Sequence, residues 1–191
     1  MAAARFLAVL SASLIVASAA AAQPATPYAG QQTRAIKSLS EVEVADLLAG
    51  RGMGLAKPAE LNSFPGPMHA LELAERLRLD GSQRAAIEDQ FARMSAAARA
   101  LGARIVEAER ALDAAFASGA IDAEALARRT AEIGALQGEL RAVHLRAHLE
   151  TRATLKPEQI ALYNEARGYG AADGPATPPS GHGGRHGHGR H

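Results

Sequence analysis

Apolar positions with helical spacing cover most of the chain between residues 41 and 166 and predict its main elements. The longest pattern alternates spacings of four and three residues, which is a heptad seam: Ile87, Phe91, Met94, Ala98, Leu101, Ile105, Ala108 and Leu112. A second pattern recurs every seven residues: Leu126, Ile133, Leu140 and Ala147. Each seam requires a partner helix, and a short loop at Gly119 separates the two. The pattern therefore predicts a long antiparallel helical hairpin.

Capping signals place shorter helices beside the hairpin. The helices predicted from them are 41–49 after Ser40, 67–79 from Pro67, and 155–168 up to Gly168. The predicted fold class is therefore all-α, a long antiparallel hairpin with shorter flanking helices. A chain of this size with only 4% aromatic residues buries a limited core alone, so we expect a homodimer.

The N-terminus predicts an exported protein. Arg5 precedes an apolar run that ends at Val16, and Ala20 and Ala22 fit a cleavage site before Gln23. No later segment has the about 20 apolar residues needed to span a bilayer, so we expect a periplasmic protein without stable membrane insertion. The predicted organisation is a signal peptide at 1–22, an N-terminal extension with a short helix and loop at 23–66, the hairpin domain at 67–168, and a disordered Gly/Pro/His-rich tail at 169–191.

Composition narrows the classes of function. Removing the predicted signal peptide takes one Arg from the 21 Lys and Arg, which leaves 20 against 20 Asp and Glu. A neutral chain lacks the positive charge that supplies most nucleic-acid affinity, so we expect no nucleic-acid partner. There is no cysteine nucleophile, and the serines lie mainly in the signal peptide, caps and loops. We therefore expect a binding protein and not an enzyme.

Two helix starts share one motif. Leu79-Asp80-Gly81-Ser82-Gln83 and Leu155-Lys156-Pro157-Glu158-Gln159 resemble the repeated L-T-x-x-Q motif of the Spy/CpxP family of periplasmic stress proteins. That family includes ZraP-like zinc-associated proteins and is similar to CnrX-like metal sensors. Physically the motif is a helix cap, although Lys156 cannot accept the hydrogen bond that the family threonine accepts. The resemblance covers about residues 68–168 and implies a small exported hairpin, usually a dimer that forms a curved cradle.

The resemblance also implies a function, which is ATP-independent binding of unfolded or misfolded envelope proteins. The residues expected to contact such clients are apolar side chains of the seam: Phe91, Met94, Leu101, Ile105, Leu112 and Phe116. The alternative interpretation is that these side chains form a dry core. A further alternative is a regulator that docks on an envelope sensor protein, as CpxP-like proteins do.

Histidines raise the possibility of metal binding, as a sensor or buffer for Zn, Cu or Ni. His144 and His148 lie four residues apart, so both rings project from one face of a helix. The spacing allows them to meet the helix that carries His69 and Glu72, with Met68 as an extra ligand. The tail adds further candidates: His182, His186, His188 and His191. The alternative interpretation is that the helical histidines are solvated surface residues. No cofactor is expected to be required.

Overall fold

A computed structural model describes residues 26–169, and every regular element in that range is a helix. In chain order the helices are α1 (Glu41–Ala49), α2 (Lys57–Glu60), α3 (Pro67–Glu72), α4 (Ala74–Leu77), α5 (Gly81–Ala117), α6 (Ala123–Thr154) and α7 (Pro157–Ala166). The predicted all-α class is confirmed. The predicted signal peptide and the histidines of the tail lie outside the described residues. Within the described range, no helix is long and apolar enough to cross a membrane.

The two long helices pair as the heptad seams predict. Helix α5 has 37 residues and α6 has 32, so each arm extends roughly 50 Å at about 1.5 Å per residue. Contacts between the arms run in opposite directions along the two sequences, from the Gln90–Thr154 hydrogen bond to the Arg104–Glu139 ion pair. The arms are therefore antiparallel. Asp122 caps α6 by accepting a hydrogen bond from the Ala125 N–H.

Two predicted elements differ from the structure. The single helix predicted over 67–79 is divided into α3 and α4 at Leu73, whose ψ of 11° departs from helical geometry. Helix α3 packs against α5, whereas α4 packs against α7, so the chain turns between them. The predicted loop between Arg51 and Pro67 contains the short helix α2, which has a proline in its first turn.

The N-terminal extension packs directly on the hairpin. Helix α1 crosses α5 at Gly102, and a Cβ atom at that position would lie 1.9 Å from the Leu47 carbonyl oxygen. Leu47 and Ile36 are buried with apolar residues of both arms: Ala98, Leu101, Ile105, Val106, Leu136 and Leu140. The first apolar cluster of the fold is therefore shared between the extension and the middle of the hairpin.

A second apolar cluster closes the open end of the hairpin. It consists of Ala70 from α3, Leu77 from α4, Ile87 from α5, and Leu155 and Tyr163 at α7. At the opposite end, by contrast, no side chain between residues 107 and 132 is fully buried. The hairpin therefore has a packed base, a packed middle and an open tip. Residues 26–33 form a separate short run of turns.

Candidate functional site

The two motif copies meet at the base of the hairpin through their glutamines. The Gln83 side-chain amide donates to Gln159 Oε1 at 2.8 Å, and the Gln159 amide donates to Gln83 Oε1 at 2.9 Å. Each amide also donates to a backbone carbonyl, Thr154 for Gln83 and Leu77 for Gln159. Both side chains are buried and hydrogen-bonded, which is the arrangement that buried polar groups require.

The same glutamines complete the helix caps. Asp80 accepts from the Gln83 N–H, and Gln83 Oε1 accepts from the Asp80 N–H, so the predicted capping box is present. The pKa of Asp80 is lowered most by the hydrogen bond from the Ser82 hydroxyl and next by the one from the Gln83 N–H. In the second copy Gln159 accepts from the Lys156 N–H at 2.9 Å, without a side-chain acceptor at Lys156. Leu155 is buried and Leu79 half-buried at the same base, so the motif organises the fold.

The six residues predicted to contact clients divide into three groups. Leu101 and Ile105 are buried in the cluster that includes Ile36 and Leu47. Phe91, Met94 and Leu112 are half-buried along the hairpin. Phe116 is 57% exposed at the tip. The interpretation as core is therefore correct for Leu101 and Ile105 in this conformation, while the other four retain accessible surface.

Two grooves lie between the arms. One, of about 200 Å³, has an apolar floor and a charged rim, and is lined by Gln90, Arg93, Met94, Ala97, Val143, Arg146, Ala147 and Glu150. The other, of about 400 Å³, lies nearer the tip and is lined by Ala103, Arg104, Glu107, Ala108, Ala111, Arg129 and Glu132. At 100° per residue, the groove positions on α5 lie roughly 80–180° around the helix from Gly102, where α1 crosses.

His144 and His148 are both buried, with 4% and 9% of their surface exposed, so the interpretation as solvated surface histidines is wrong. The His148 Nδ1–H donates to the Phe64 carbonyl at 2.7 Å, and a Cβ atom on Gly66 would lie 2.8 Å from its ring. Segment 52–66 therefore covers α6 at this point. His144 Nε2 is buried without a hydrogen-bond partner. The pKa of His144 is lowered, mainly because the ring is buried and also because His148 is nearby.

The structure does not bring His69 into the same group. Its Nδ1 atom lies 2.9 Å from Glu72 Oε2, in an i,i+3 pair on α3. Met68, considered as an additional ligand, is 45% exposed. Within residues 26–169, no set of three or more His, Cys, Asp or Glu side chains is placed to hold one metal ion. Of the residues predicted to bind metal on the helices, only His144 and His148 of α6 therefore remain together as a candidate metal site.

A buried junction around Glu60 was not predicted from the sequence. The Tyr163 hydroxyl donates to Glu60 Oε1 at 2.7 Å, and Arg167 Nε donates to the same oxygen at 3.3 Å. Burial and the Glu60 carboxylate raise the pKa of Tyr163. Glu60 Oε2 is 3.7 Å from His148 Nδ1 and accepts no hydrogen bond. Glu60 lies outside every periodic pattern, so nothing in the sequence signals this role.

Further contacts hold the loop after α2 in place. Asn164 Nδ2 donates to the Ser63 hydroxyl at 2.8 Å. The Arg152 guanidinium hydrogen-bonds the Ser63 carbonyl and stacks 4.4 Å from the centre of the Phe64 ring. The extension, left without a role by the sequence, therefore covers the histidine pair and joins α6 to α7.

Comparison with known proteins adds no family assignment. The chain matches no family model, no curated protein and no solved structure at a significant level. The resemblance to the Spy/CpxP family therefore depends on the two motif copies, and the functions that it implies are proposals.

Proposed function

We propose that this chain is an exported, periplasmic binding protein that holds exposed apolar segments of unfolded proteins without ATP. The observation that carries the proposal is the face of the hairpin with two open grooves, whose floors are apolar and whose rims are charged. A binding protein for varied clients needs accessible apolar surface that adapts its shape. The groove nearer the base offers this through Met94, whose flexible thioether side chain is half-buried on its floor.

The charges at the rim favour reversible contact. Arg93 pairs with Asp89 and, at 3.2 Å, with Glu150 across the groove. Both side chains of the Arg93–Glu150 pair are at least 40% exposed, and ion pairs between such exposed groups contribute little to stability. They can therefore exchange partners with a charged client, and they keep the surface around the apolar floor soluble.

The test is suppression of aggregation of chemically denatured citrate synthase in the absence of ATP. Met94→Gln should weaken suppression, because it places a polar amide in the lining of the groove nearer the base. Leu149→Gln is the control, since it also replaces an apolar side chain, but Leu149 lines neither groove. Equal loss in both variants would contradict a defined client face. Absence of suppression by the wild-type protein would overturn the proposal itself.

A second candidate function is binding of Zn, Cu or Ni at His144 and His148. It is favoured by the unpartnered His144 Nε2 and by the hydrogen bond that orients the His148 ring through Nδ1. Metal-binding histidines commonly donate their other ring N–H to a carbonyl, which leaves the opposite nitrogen free for the ion. Two imidazoles leave the remaining coordination positions to water.

Calorimetric titration distinguishes this candidate. A mature chain that ends at Asp173, and so lacks the tail histidines, would be titrated with each metal alone. One-to-one binding that disappears in His144→Gln and persists in His69→Gln is expected if α6 holds the site. Persistence in His144→Gln would place the metal elsewhere. Circular dichroism of each variant confirms that the helices remain formed.

A further inference from the structure

Helix α1 packs on an apolar surface of the hairpin. The cluster that it joins includes Ala98, Leu101, Ile105 and Val106 of α5, each at most 9% exposed, together with Leu136 and Leu140 of α6. Two of these, Leu101 and Ile105, belong to the residues that the sequence predicts as client contacts. The grooves of the proposed function border this surface, because Val143 and Ala108, which line them, also pack against the cluster that α1 joins.

Four apolar side chains attach α1 and the segment before it to the hairpin. Ile36 and Leu47 are buried in the cluster, and Leu39 and Val44 pack half-buried against it. The polar contacts are at the surface: Lys37 Nζ to Asp113 at 3.1 Å, and the Ser38 hydroxyl to Glu109 at 2.8 Å. The opposite side of α1 is open to solvent, with Val42 at 68% and Leu48 at 48% exposure. Such an element can open locally while the long helices remain formed.

The connection after α1 is suited to such opening. Gly50 ends the helix at a φ of 67°, and the next four residues, 51–54, are exposed. Gly54 also has a positive φ, of 78°. The next side chain that packs on the hairpin is Leu55, and Glu60 and Ser63 follow with hydrogen bonds to α7. Because these contacts do not involve α1, segment 34–50 can move while the junction that covers His148 stays in place.

We propose that the surface beneath α1 is a second, latent binding surface for an apolar helical segment of an unfolded protein, and that α1 occupies it until a client displaces it. Helix α1 itself shows which chemistry fits. It is a short helix with a leucine on its inner face, and its backbone touches α5 at Gly102, where a side chain is absent. The proposal rests on the proposed function, because it adds regulated surface to the same client-binding activity.

A disulfide can lock α1 in place. The Lys37 main-chain N lies 3.4 Å from Asp113 Oδ1, so cysteines at these two positions are placed within reach of each other, and neither residue has a positive φ. The chain contains no cysteine, so Lys37→Cys/Asp113→Cys would carry a single reversible cross-link between the segment before α1 and α5. The oxidised and reduced forms of this one variant are compared, which cancels any effect of the substitutions. Wild-type protein with and without reductant is the redox control.

The measurement is the affinity for reduced, carboxymethylated α-lactalbumin, a permanently unfolded client. The reduced form should bind about tenfold more tightly than the oxidised form, because locking removes the open population. Equal affinities in the two forms would overturn the latent surface while leaving the grooves as the client site. No binding by either form or by the wild type would overturn the proposed function as well.

A second variant tests the same point without a cross-link. Lys37→Ala/Ser38→Ala removes both side-chain contacts of the segment before α1 and keeps the hydrogen bond from the main-chain N–H of residue 37 to Asp113. The apolar clusters are unchanged, so the fold should persist. Its affinity for the same client should rise several-fold. Faster hydrogen exchange in α1 would show that the segment has loosened. If the affinity of this loosened variant equals that of the wild type, the proposal is overturned.

Discussion

At the scale of single residues, the Gln83–Gln159 pair explains why a weak sequence motif carries structural information. Each glutamine caps its own helix and also hydrogen-bonds the other, so two local signals become one long-range contact. The contact joins residues 76 positions apart in the chain. A shorter side chain at either position cannot reach both its own cap and its partner.

Gln83→Ala should therefore reduce the free energy of unfolding by roughly 1–3 kcal/mol, because it leaves a buried amide of Gln159 without its partner. The double variant Gln83→Ala/Gln159→Ala should lose less than the sum of the two single variants, since both remove the same contact. Urea denaturation measures these differences. Gln137→Ala, at an exposed position of α6, is the control and should change stability by less than about 0.5 kcal/mol. Additive losses would contradict the coupling.

His144 should make stability depend on pH. Its pKa in the folded protein is lowered from the usual 6.5 by burial and by His148, which itself lies 3.7 Å from the Glu60 carboxylate. As the pH falls below 6.5, His144 becomes protonated in the unfolded chain at a higher pH than in the folded chain. Protonation therefore favours the unfolded chain, and the free energy of unfolding falls as the pH falls towards the lowered pKa. The slope can reach about 1.4 kcal/mol per pH unit.

Urea denaturation between pH 5 and pH 8 tests this dependence. His144→Leu should flatten the stability profile below pH 6.5, whereas Gln137→Ala, at an exposed position of α6, should leave the slope of the profile as it is in the wild type. If His144→Leu retains the full wild-type slope, another group is responsible for the titration.

At the scale of elements, the crossing of α1 over α5 is determined by one missing side chain. Gly102→Ala places a Cβ atom 1.9 Å from the Leu47 carbonyl, so α1 must shift or detach. The expected loss is roughly 1–3 kcal/mol, as for other overpacked sites. Gly134→Ala is the matched control, because that helical glycine has nothing within 4 Å of an added Cβ. It should stabilise by about 0.5–1 kcal/mol. Urea denaturation measures the free energy of unfolding of each variant. If both variants were stabilised, or both destabilised, the close crossing would be contradicted.

The elements also show how far sequence reasoning extends. The hairpin and α1 follow from heptad spacing and caps, because both signals are local and depend on main-chain geometry. The break at Leu73 could not be predicted, since it arises from α3 and α4 packing against different helices. The burial of His144 and His148 was missed for the same reason. Their covering residues come from a loop without periodicity, and loop docking depends on tertiary contacts such as that of Glu60 with Tyr163.

At the scale of the whole molecule, packing is uneven along the hairpin. Buried side chains gather at the base and in the middle, while the tip between residues 107 and 132 has none. The arms there expose Phe116 and Leu126, at 57% and 39%. Each long helix is continuous through this gradient, so helix boundaries alone do not reveal it. Local stability follows buried apolar contact more closely than secondary structure.

Native-state hydrogen exchange should therefore divide each long helix into two parts. Amides of residues 110–117 and 123–130 should exchange faster than those of residues 87–106 and 133–151, because the tip can open without exposing either apolar cluster. The tip amides should also respond little to urea at low concentration, as expected for openings that expose little surface. Equal protection along both arms would mean that the hairpin opens as one cooperative unit. The unsupported tip would then owe its stability to a contact beyond this chain, such as a second copy packed against Phe116.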